Sequence, residues 1–197
     1  MAPFRAFIAV PLPDAVRERL GAAQDRLRPA GADVSWVDPA RMHVTLRFLG
    51  DLADEARAAL ETGLRRTAAA AGPLDLAVRG LGTFPPGGVP RVVWAGLTER
   101  EPGRLAALAA GVEAAAAEAG FAPEKRPFAA HVTLGRVKSP RNAPALRTLL
   151  DRHRDLDAGS FRADTIILYR SDLSPRGPTY TDMARFPLGA AASAGPC

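Results

Sequence analysis

Cysteine is nearly absent from this 197-residue chain, which contains one cysteine, Cys197, at its last position. A single cysteine excludes an intramolecular disulfide and a cysteine-rich zinc site, and such usage is expected in a reducing cytoplasm. Lysine is also scarce, because only two of the 26 basic residues, Lys125 and Lys138, are lysines. The remaining basic residues are scattered arginines, which argues against a nucleic-acid coat protein and favours a single ligand with few phosphates.

Long hydrophobic runs are also missing. The apolar run within residues 1–13 is too short and too interrupted by proline to be a signal peptide. The longest apolar region, residues 105–119, is interrupted by Glu113 and Glu118 and is too short to span a bilayer. We therefore expect a cytoplasmic protein that does not associate with membranes. With 47% hydrophobic residues, the chain can still build one substantial core or two small lobes that share a cleft.

Strand and helix patterns recur in the same order in the two halves of the chain. In the first half, strands are predicted at residues 4–10, 34–37, 43–49 and 74–81, with helices after Pro13 and after residue 51. In the second half, strands are predicted at 91–97, 130–137, 161–169 and 180–186, with a short extended piece at 124–128. The helices of that half are predicted to begin with Pro102 and to span 143–153.

The repeated order predicts an α+β protein with a duplicated, bilobed fold. We expect one domain over residues 1–188, with pseudo-repeat halves of about 1–88 and 89–188 and interleaved lobes around a central cleft. Residues 82–88 are predicted to form a loop between the halves. The tail, residues 189–197, has little to bury and is predicted to be disordered.

One tetrapeptide, His-Val-Thr-Leu, occurs twice, beginning at His43 and at His131. On a strand, successive side chains alternate between faces, so each copy presents its histidine and threonine on one side and its valine and leucine on the other. Two such strands side by side would direct two imidazoles and two hydroxyls, those of Thr45 and Thr133, to one point.

That set of groups suits the hydrolysis of a phosphodiester. In an in-line displacement, one imidazole can take a proton from water while the other gives a proton to the leaving oxygen. An unperturbed imidazole titrates near pH ~6.5, so both protonation states are accessible near neutrality. The threonine hydroxyls can donate to phosphoryl oxygens where charge accumulates.

Two other interpretations of the histidines are less well supported. A single histidine on a strand is usually a structural residue, but the repetition of the whole motif argues against that here. A metal site would need further ligands, and two histidines without a nearby acidic or cysteine cluster supply too few. The third histidine, His153, has no threonine partner and is expected at a helix end. We therefore predict that no metal is bound.

The two motif segments, HVTLRFLG and HVTLGR, resemble the two-histidine phosphoesterase superfamily. Within it, the chain is most similar to the bacterial and archaeal RNA 2′,3′-cyclic phosphodiesterases, also known as LigT-like 2′-5′ RNA ligases. The similarity extends over almost the whole chain and includes FIAVPLP from Phe7, GLGTFP from Gly80, PRVVW from Pro90 and LYRS from Leu168. Ala130 departs from the family, which usually has proline there to shape the entry of the strand.

The resemblance implies a bilobed hydrolase that needs no metal and no cofactor. Its substrate would be an RNA with a 2′,3′-cyclic phosphate end, or a cyclic nucleotide, which it would open to leave a 2′-phosphate. His43 would be the proton donor and His131 the proton acceptor. Thr45, Thr133 and Arg136 would bind the phosphate.

The residues that follow each motif are harder to place. Strict alternation puts Arg47 on the face of His43, and it puts Arg136 on the face opposite His131 unless the strand bulges. Alternation also makes Phe48 a core residue, whereas the resemblance implies that Phe48 stacks on a nucleobase. Phe48 and Arg47 are therefore candidate contacts to the base or the substrate.

Two other functions stay open from the sequence. The first is a binding module for RNA ends or nucleotides without catalysis, although such a module does not need two groups that titrate near neutrality. The second is a reversible 2′-5′ RNA ligase, which without an ATP motif would have to use the energy of the cyclic phosphate. We expect the protein to be a monomer.

Overall fold

The computed structural model describes residues 3–174 and 177–189. It confirms the α+β class, because the described residues form an antiparallel sheet and α-helices. The strands are β1 (Phe4–Pro11), β2 (Val34–Trp36), β3 (His43–Leu52), β4 (Leu74–Phe84), β5 (Val92–Glu99), β6 (His131–Val137), β7 (Asp157–Ala163), β8 (Thr165–Ser174) and β9 (Gly177–Pro187). The helices are α1 (Asp14–Leu27), α2 (Asp54–Ala71), α3 (Arg104–Glu118) and α4 (Ala143–Arg152).

The sheet is strongly curled. Its strand order is β7-β4-β5-β6-β3-β1-β8-β9, and β2 pairs with β6. β7 and β8 are far apart in this order, yet Asp164 alone connects them along the chain. Because consecutive Cα atoms are about 3.8 Å apart, the two strand ends must lie close together. The single strand predicted at residues 161–169 is therefore wrong, since it contains the end of β7 and the start of β8.

Two half-sheets meet at the centre of the curled sheet. Half-sheet A consists of β3, β1, β8 and β9, and half-sheet B consists of β6, β5, β4 and β7. Their adjoining strands pair where Val44 of β3 lies opposite Val132 of β6, and both valines are fully buried. Half-sheet A contains strands from both ends of the chain, because β8 pairs with β1 there.

The helices bury the apolar side of the two half-sheets. α2 and α3 contact half-sheet A, whereas α1 and α4 contact half-sheet B. Leu60 and Leu64 of α2 and Leu105 of α3 are buried in this way, and each buried leucine contributes about 2 kcal/mol. α2 and α3 approach closely at Gly63, where an added Cβ would lie 2.8 Å from the Cβ of Ala115.

Three local predictions differ from the structure. α3 begins at Arg104 and not at Pro102, because the Glu99 carboxylate accepts the N–H groups of Gly103 and Leu105 and so caps the helix there. Residues 82–84, predicted as loop, continue β4 because they pair with β5. Residues 124–128, predicted as an extended piece, form neither strand nor helix. Of the tail predicted to be disordered, residues 190–197 lie outside the described part, whereas Gly189 donates its N–H to the Ala68 carbonyl.

Candidate active site

The paired valines at the centre of the sheet bring the two motifs together. Because Val44 and Val132 point into the core, the residues that flank them point to the opposite face. In an antiparallel register, His43 then neighbours Thr133, and Thr45 neighbours His131. All four side chains are half-buried. The structure therefore places both imidazoles and both hydroxyls on one surface, as the sequence predicted.

Each motif histidine is oriented by the same backbone contact. Nδ1 of His43 lies 2.8 Å from the carbonyl oxygen of Arg41, and Nδ1 of His131 lies 2.7 Å from that of Ala129. A carbonyl oxygen can only accept, so Nδ1 carries the hydrogen in both rings and donates it. Nε2 is then the atom of each neutral imidazole that can take up a proton. Ala130 stands where the family that the chain resembles usually has proline. The contact of His131 with the Ala129 carbonyl is still as short as that of His43 with the Arg41 carbonyl.

Burial keeps His43 uncharged. Its pKa is lowered from 6.5 to about 4, chiefly because the surrounding protein removes water from the ring, with a further contribution from the nearby charge of His131. The hydrogen bond to the Arg41 carbonyl acts in the opposite direction. In the free protein at pH 7, His43 is therefore neutral and its Nε2 is unprotonated.

Aromatic rings surround His43. The ring of Phe7 stacks on it with centroids 4.7 Å apart, and the ring of Tyr180 approaches edge-on at 5.5 Å. Tyr169 stacks on Phe7, with ring centroids 5.0 Å apart. These rings come from β1, β8 and β9, so the cluster depends on the order of strands in half-sheet A. Sequence reasoning did not identify them as site residues.

A smaller aromatic contact lies beside His131. The ring of Phe84 approaches it edge-on with centroids 5.1 Å apart, and Phe84 in turn lies 5.3 Å from Trp94. The Trp94 ring lies directly over Gly82, where an added Cβ would come within 2.3 Å of the indole. Glycine at position 82 is therefore required for Trp94 to lie flat on β4.

A β-bulge lies at the last residue of each copy of the motif. On β3, Thr45 pairs with Ala9 and Arg47 with Ile8, so Leu46 is an extra residue. On β6, Thr133 pairs with Trp94 and Gly135 with Val93, so Leu134 is an extra residue. A bulge shifts the alternation of every later side chain by one residue. The positions that follow therefore change faces in both strands.

The bulge in β3 separates Arg47 from the site. Arg47 is only 9% exposed, forms an ion pair with Glu113 of α3 and donates to the carbonyl of Phe48 at 2.7 Å. The prediction that Arg47 shares the face of His43 is wrong, because it assumed strict alternation. The prediction from alternation that Phe48 belongs to the core is wrong for the same reason, since Phe48 is 51% exposed and lies 5.9 Å from the Phe7 ring.

The bulge in β6 brings Arg136 onto the face of His131 and Thr133. Leu134 and Gly135 are both buried, and the Arg136 side chain is exposed. Burial raises the pKa of Tyr180, while the positive charges of Arg41 and Arg136 act in the opposite direction. The charge of Arg136 on half-sheet B therefore influences Tyr180 on half-sheet A. No carboxylate among the described residues forms an ion pair with Arg136, so its guanidinium can bind an anion.

Metal clusters and membrane-spanning helices are both absent from residues 3–174 and 177–189. No group of three or more histidine, cysteine, aspartate or glutamate side chains in these ranges lies close enough together to hold a metal ion. No helix in this part of the chain is long and apolar enough to cross a membrane.

Two imidazoles, two hydroxyls and the guanidinium of Arg136 share this face, and such a set can perform acid–base chemistry on an anionic centre. Comparison with known proteins identifies the family. The sequence model of the protein family described as LigT like Phosphoesterase matches the chain twice, over residues 10–94 and 96–180. The chain belongs to the LigT-like phosphoesterase family, and the double match agrees with the duplicated fold.

The individual relatives are similar over nearly their whole length. A protein of Methanothermobacter thermautotrophicus, named RNA 2′,3′-cyclic phosphodiesterase, is 38% identical over 184 residues, which are 93% of this chain and 98% of that protein. The crystal structure of TT0787 of Thermus thermophilus has a TM-score of 0.78 and 34% identity, and covers 94% of this chain and 98% of that chain. Escherichia coli LigT complexed with 3′-AMP has a TM-score of 0.75 and 27% identity over 95% of this chain and 99% of that chain.

Proposed function

We propose that this protein hydrolyses 2′,3′-cyclic phosphate ends of RNA, with His43 and His131 as acid and base and without a metal ion. The observation that carries the proposal is the shared face of the two motifs, on which each histidine has Nδ1 occupied and Nε2 available. The names of the similar proteins, RNA 2′,3′-cyclic phosphodiesterase, support the same reaction.

In this mechanism the two histidines act on opposite sides of the phosphorus atom. Nε2 of His131 takes a proton from water as the water oxygen forms a bond to phosphorus. The bond between phosphorus and O3′ breaks, and Nε2 of His43 gives a proton to O3′. The product carries a 2′-phosphate and a free 3′-hydroxyl. The two histidines make the same backbone contact at Nδ1, so this assignment of acid and base depends on the family resemblance.

The low pKa of His43 defines how the acid becomes charged. A proton donor needs a proton on Nε2 when the bond breaks, but His43 is neutral in the free protein at pH 7. A cyclic phosphate carries a negative charge, and an opposite charge within about 4–6 Å favours the protonated imidazole. Binding of the anionic substrate therefore raises the pKa of His43, and the imidazole takes up from the solvent the proton that it later gives to O3′.

The remaining groups hold the substrate. The hydroxyls of Thr45 and Thr133 and the guanidinium of Arg136 donate to the non-bridging phosphoryl oxygens, where negative charge increases in the transition state. The exposed ring of Phe48 offers a surface on which a nucleobase can stack. Arg47 has no part in this set, because its side chain forms an ion pair with Glu113 on the other side of the strand.

The direct test is hydrolysis of adenosine 2′,3′-cyclic phosphate by the purified protein in excess chelator. We expect turnover, and we expect His43→Ala and His131→Ala each to reduce kcat by about 10² to 10⁴. His153→Ala is the matched control, since His153 caps the end of α4 and lies outside the motifs. Wild-type binding without turnover would support a binding module instead. Joining of RNA ends in preference to hydrolysis would support a ligase.

The cellular compartment and the oligomeric state of the protein belong to the same proposal. We expect the protein to act as a cytoplasmic monomer, because all the residues that the mechanism uses come from one chain. Size-exclusion chromatography coupled to light scattering measures the oligomeric state, and a stable dimer would contradict this expectation.

A further inference from the structure

A cleft of about 530 Å³ opens beside His43, and none of its lining residues comes from β6, the strand that carries His131. Its walls come from three parts of the chain that are distant in sequence: the start of α1, the turn before β3, and β8 with β9. The side chains that matter for its chemistry are Arg17, Arg41, Arg185, Asp182, Tyr169 and Tyr180. His43 also lines the cleft, so the cleft adjoins the site described above.

The cleft does not hold the phosphate that reacts. Arg41 lines it, and the carbonyl of Arg41 already occupies Nδ1 of His43. The reacting phosphate has to contact Nε2, on the other edge of the ring, and it has to be within reach of His131 as well. His131 does not line the cleft, so a group bound among its arginines is not the reacting phosphate.

Positive charge prevails in the cleft. Three arginines line it against two aspartates, Asp38 and Asp182. Arg41 lies 3.8 Å from Asp38, and Arg185 pairs with Asp182, whereas Arg17 pairs with Asp14, which lies outside the cleft. A guanidinium has five N–H donors, and each of these pairs leaves several of them free. An anion can therefore bind without displacing the aspartates.

Two tyrosines experience this positive charge. Burial and the negative charge of Asp182 raise the pKa of Tyr169, and the charges of Arg185 and Arg17 oppose that effect. Arg41 has the same opposing effect on the pKa of Tyr180, together with Arg136 from the other half-sheet. Tyr180 therefore experiences the charge of Arg41, which lines the cleft, and the charge of Arg136 on the catalytic face.

We propose that this cleft is a subsite for a second phosphate of the substrate, namely the phosphodiester on the 5′ side of the terminal nucleoside. A nucleotide chain carries such a charge next to its cyclic end, whereas a cyclic mononucleoside phosphate has a 5′-hydroxyl there. The volume lies in the range that accommodates a nucleotide-sized group. The proposal rests on the proposed function and adds a preference to it: RNA ends are better substrates than cyclic mononucleotides.

Three substrates test the subsite with the wild-type protein. The first is adenosine 2′,3′-cyclic phosphate, the second is the dinucleotide ApA with the same cyclic end, and the third is that dinucleotide with an uncharged methylphosphonate linkage. We expect kcat/KM to be about tenfold or more higher for the charged dinucleotide than for either of the others. Equal values for the two dinucleotides would overturn the proposal, because the preference would then come from the extra nucleoside. Hydrolysis of none of the three would instead refute the proposed function itself.

Substitutions that remove positive or negative charge from the cleft test whether the preference for the charged dinucleotide arises there. In Arg17→Gln/Arg185→Gln, we expect the ratio of kcat/KM for the charged dinucleotide over the mononucleotide to fall about tenfold. In Asp182→Asn, which removes negative charge from the same cleft, we expect the ratio to rise. Arg26→Gln is the control for charge, since Arg26 lies on α1 but outside the cleft. A ratio that stays constant in both cleft variants, or that changes equally in Arg26→Gln, would contradict the assignment.

Discussion

Phe48 on β3 and Arg136 on β6 occupy the same position in the two copies of the motif, each the second residue after a bulged leucine. Because of the bulge, each of these side chains lies on the same face of its strand as the histidine of its motif, and both side chains are exposed. The two copies are otherwise alike at His, Val, Thr and Leu. A ring at one position and a guanidinium at the other therefore make the site asymmetric, and the asymmetry favours one orientation of a nucleotide.

Substitutions at Arg47 and Arg136 should separate stability from catalysis. Arg136→Gln should lower kcat/KM by about ten- to a hundredfold, because it removes a charged donor to the phosphate. Its free energy of unfolding should change by less than about 0.5 kcal/mol, since the side chain is exposed. The measurements are steady-state kinetics and urea unfolding of the same preparations.

The matched variant Arg47→Gln should show the reverse. It leaves Glu113 without its ion-pair partner and should cost about 2 kcal/mol of unfolding free energy, with a smaller effect on kcat/KM. In a double-mutant cycle, Glu113→Gln should cost less in the Arg47→Gln background than in the wild type. If Arg47→Gln were as stable as the wild type but lost activity, Arg47 would belong to the site after all.

These two arginines also show how far the sequence could predict the site. The histidine and threonine of each motif are two residues apart, and alternation holds over that distance. It fails at Leu46 and Leu134, because a bulge is determined by pairing with β1 and β5, which a single sequence does not reveal. Phe48 and Arg47 therefore exchanged their expected faces.

The same limit applies to the fold. Most of the strands and helices were predictable because each has its own periodicity, whereas the division of residues 161–169 between β7 and β8 was not. The aromatic cluster around His43 was not, since Phe7, Tyr169 and Tyr180 meet only because β8 and β9 extend the half-sheet of β1. The start of α3 was also misplaced, because its cap comes from the side chain of Glu99 and not from a residue next to the helix.

Acid should destabilise the protein through His43. Its pKa is lowered in the folded state from 6.5 to about 4, so between these pH values the unfolded chain binds the proton more strongly. The contribution of His43 to stability is fully present above pH 6.5 and is lost as the pH falls towards 4. Between pH 7 and pH 5 the loss amounts to about 2 kcal/mol.

The test is urea unfolding of the wild type and His43→Gln at both pH values. Glutamine keeps a polar side chain that does not titrate. The variant should therefore lose about 2 kcal/mol less than the wild type on going from pH 7 to pH 5. His153→Gln serves as the control and should follow the wild type. Parallel losses in wild type and His43→Gln would show that burial of His43 does not disfavour its charged form.

The threonine hydroxyls should act mainly in the transition state. Thr45→Val and Thr133→Val keep the shape of the side chain but remove the donor, and each should lower kcat more than it raises KM. Thr45→Ser and Thr133→Ser restore a hydroxyl and should recover most of the rate. Steady-state kinetics with adenosine 2′,3′-cyclic phosphate measures both constants. A change confined to KM would assign the hydroxyls to binding of the substrate in its ground state.

Hydrolysis of adenosine 2′,3′-cyclic phosphate should yield adenosine 2′-phosphate. Water and the leaving oxygen must lie on opposite sides of phosphorus, so the histidine that activates water cannot also protonate the oxygen that departs. With a base stacked on Phe48 and the phosphate held by Arg136, the ribose would present O3′ to His43 and leave His131 on the side of the water. Chromatography separates the 2′- and 3′-phosphates. Predominant adenosine 3′-phosphate would reverse the orientation of the ribose and make His43, whose low pKa already suits a base at pH 7, the residue that activates water.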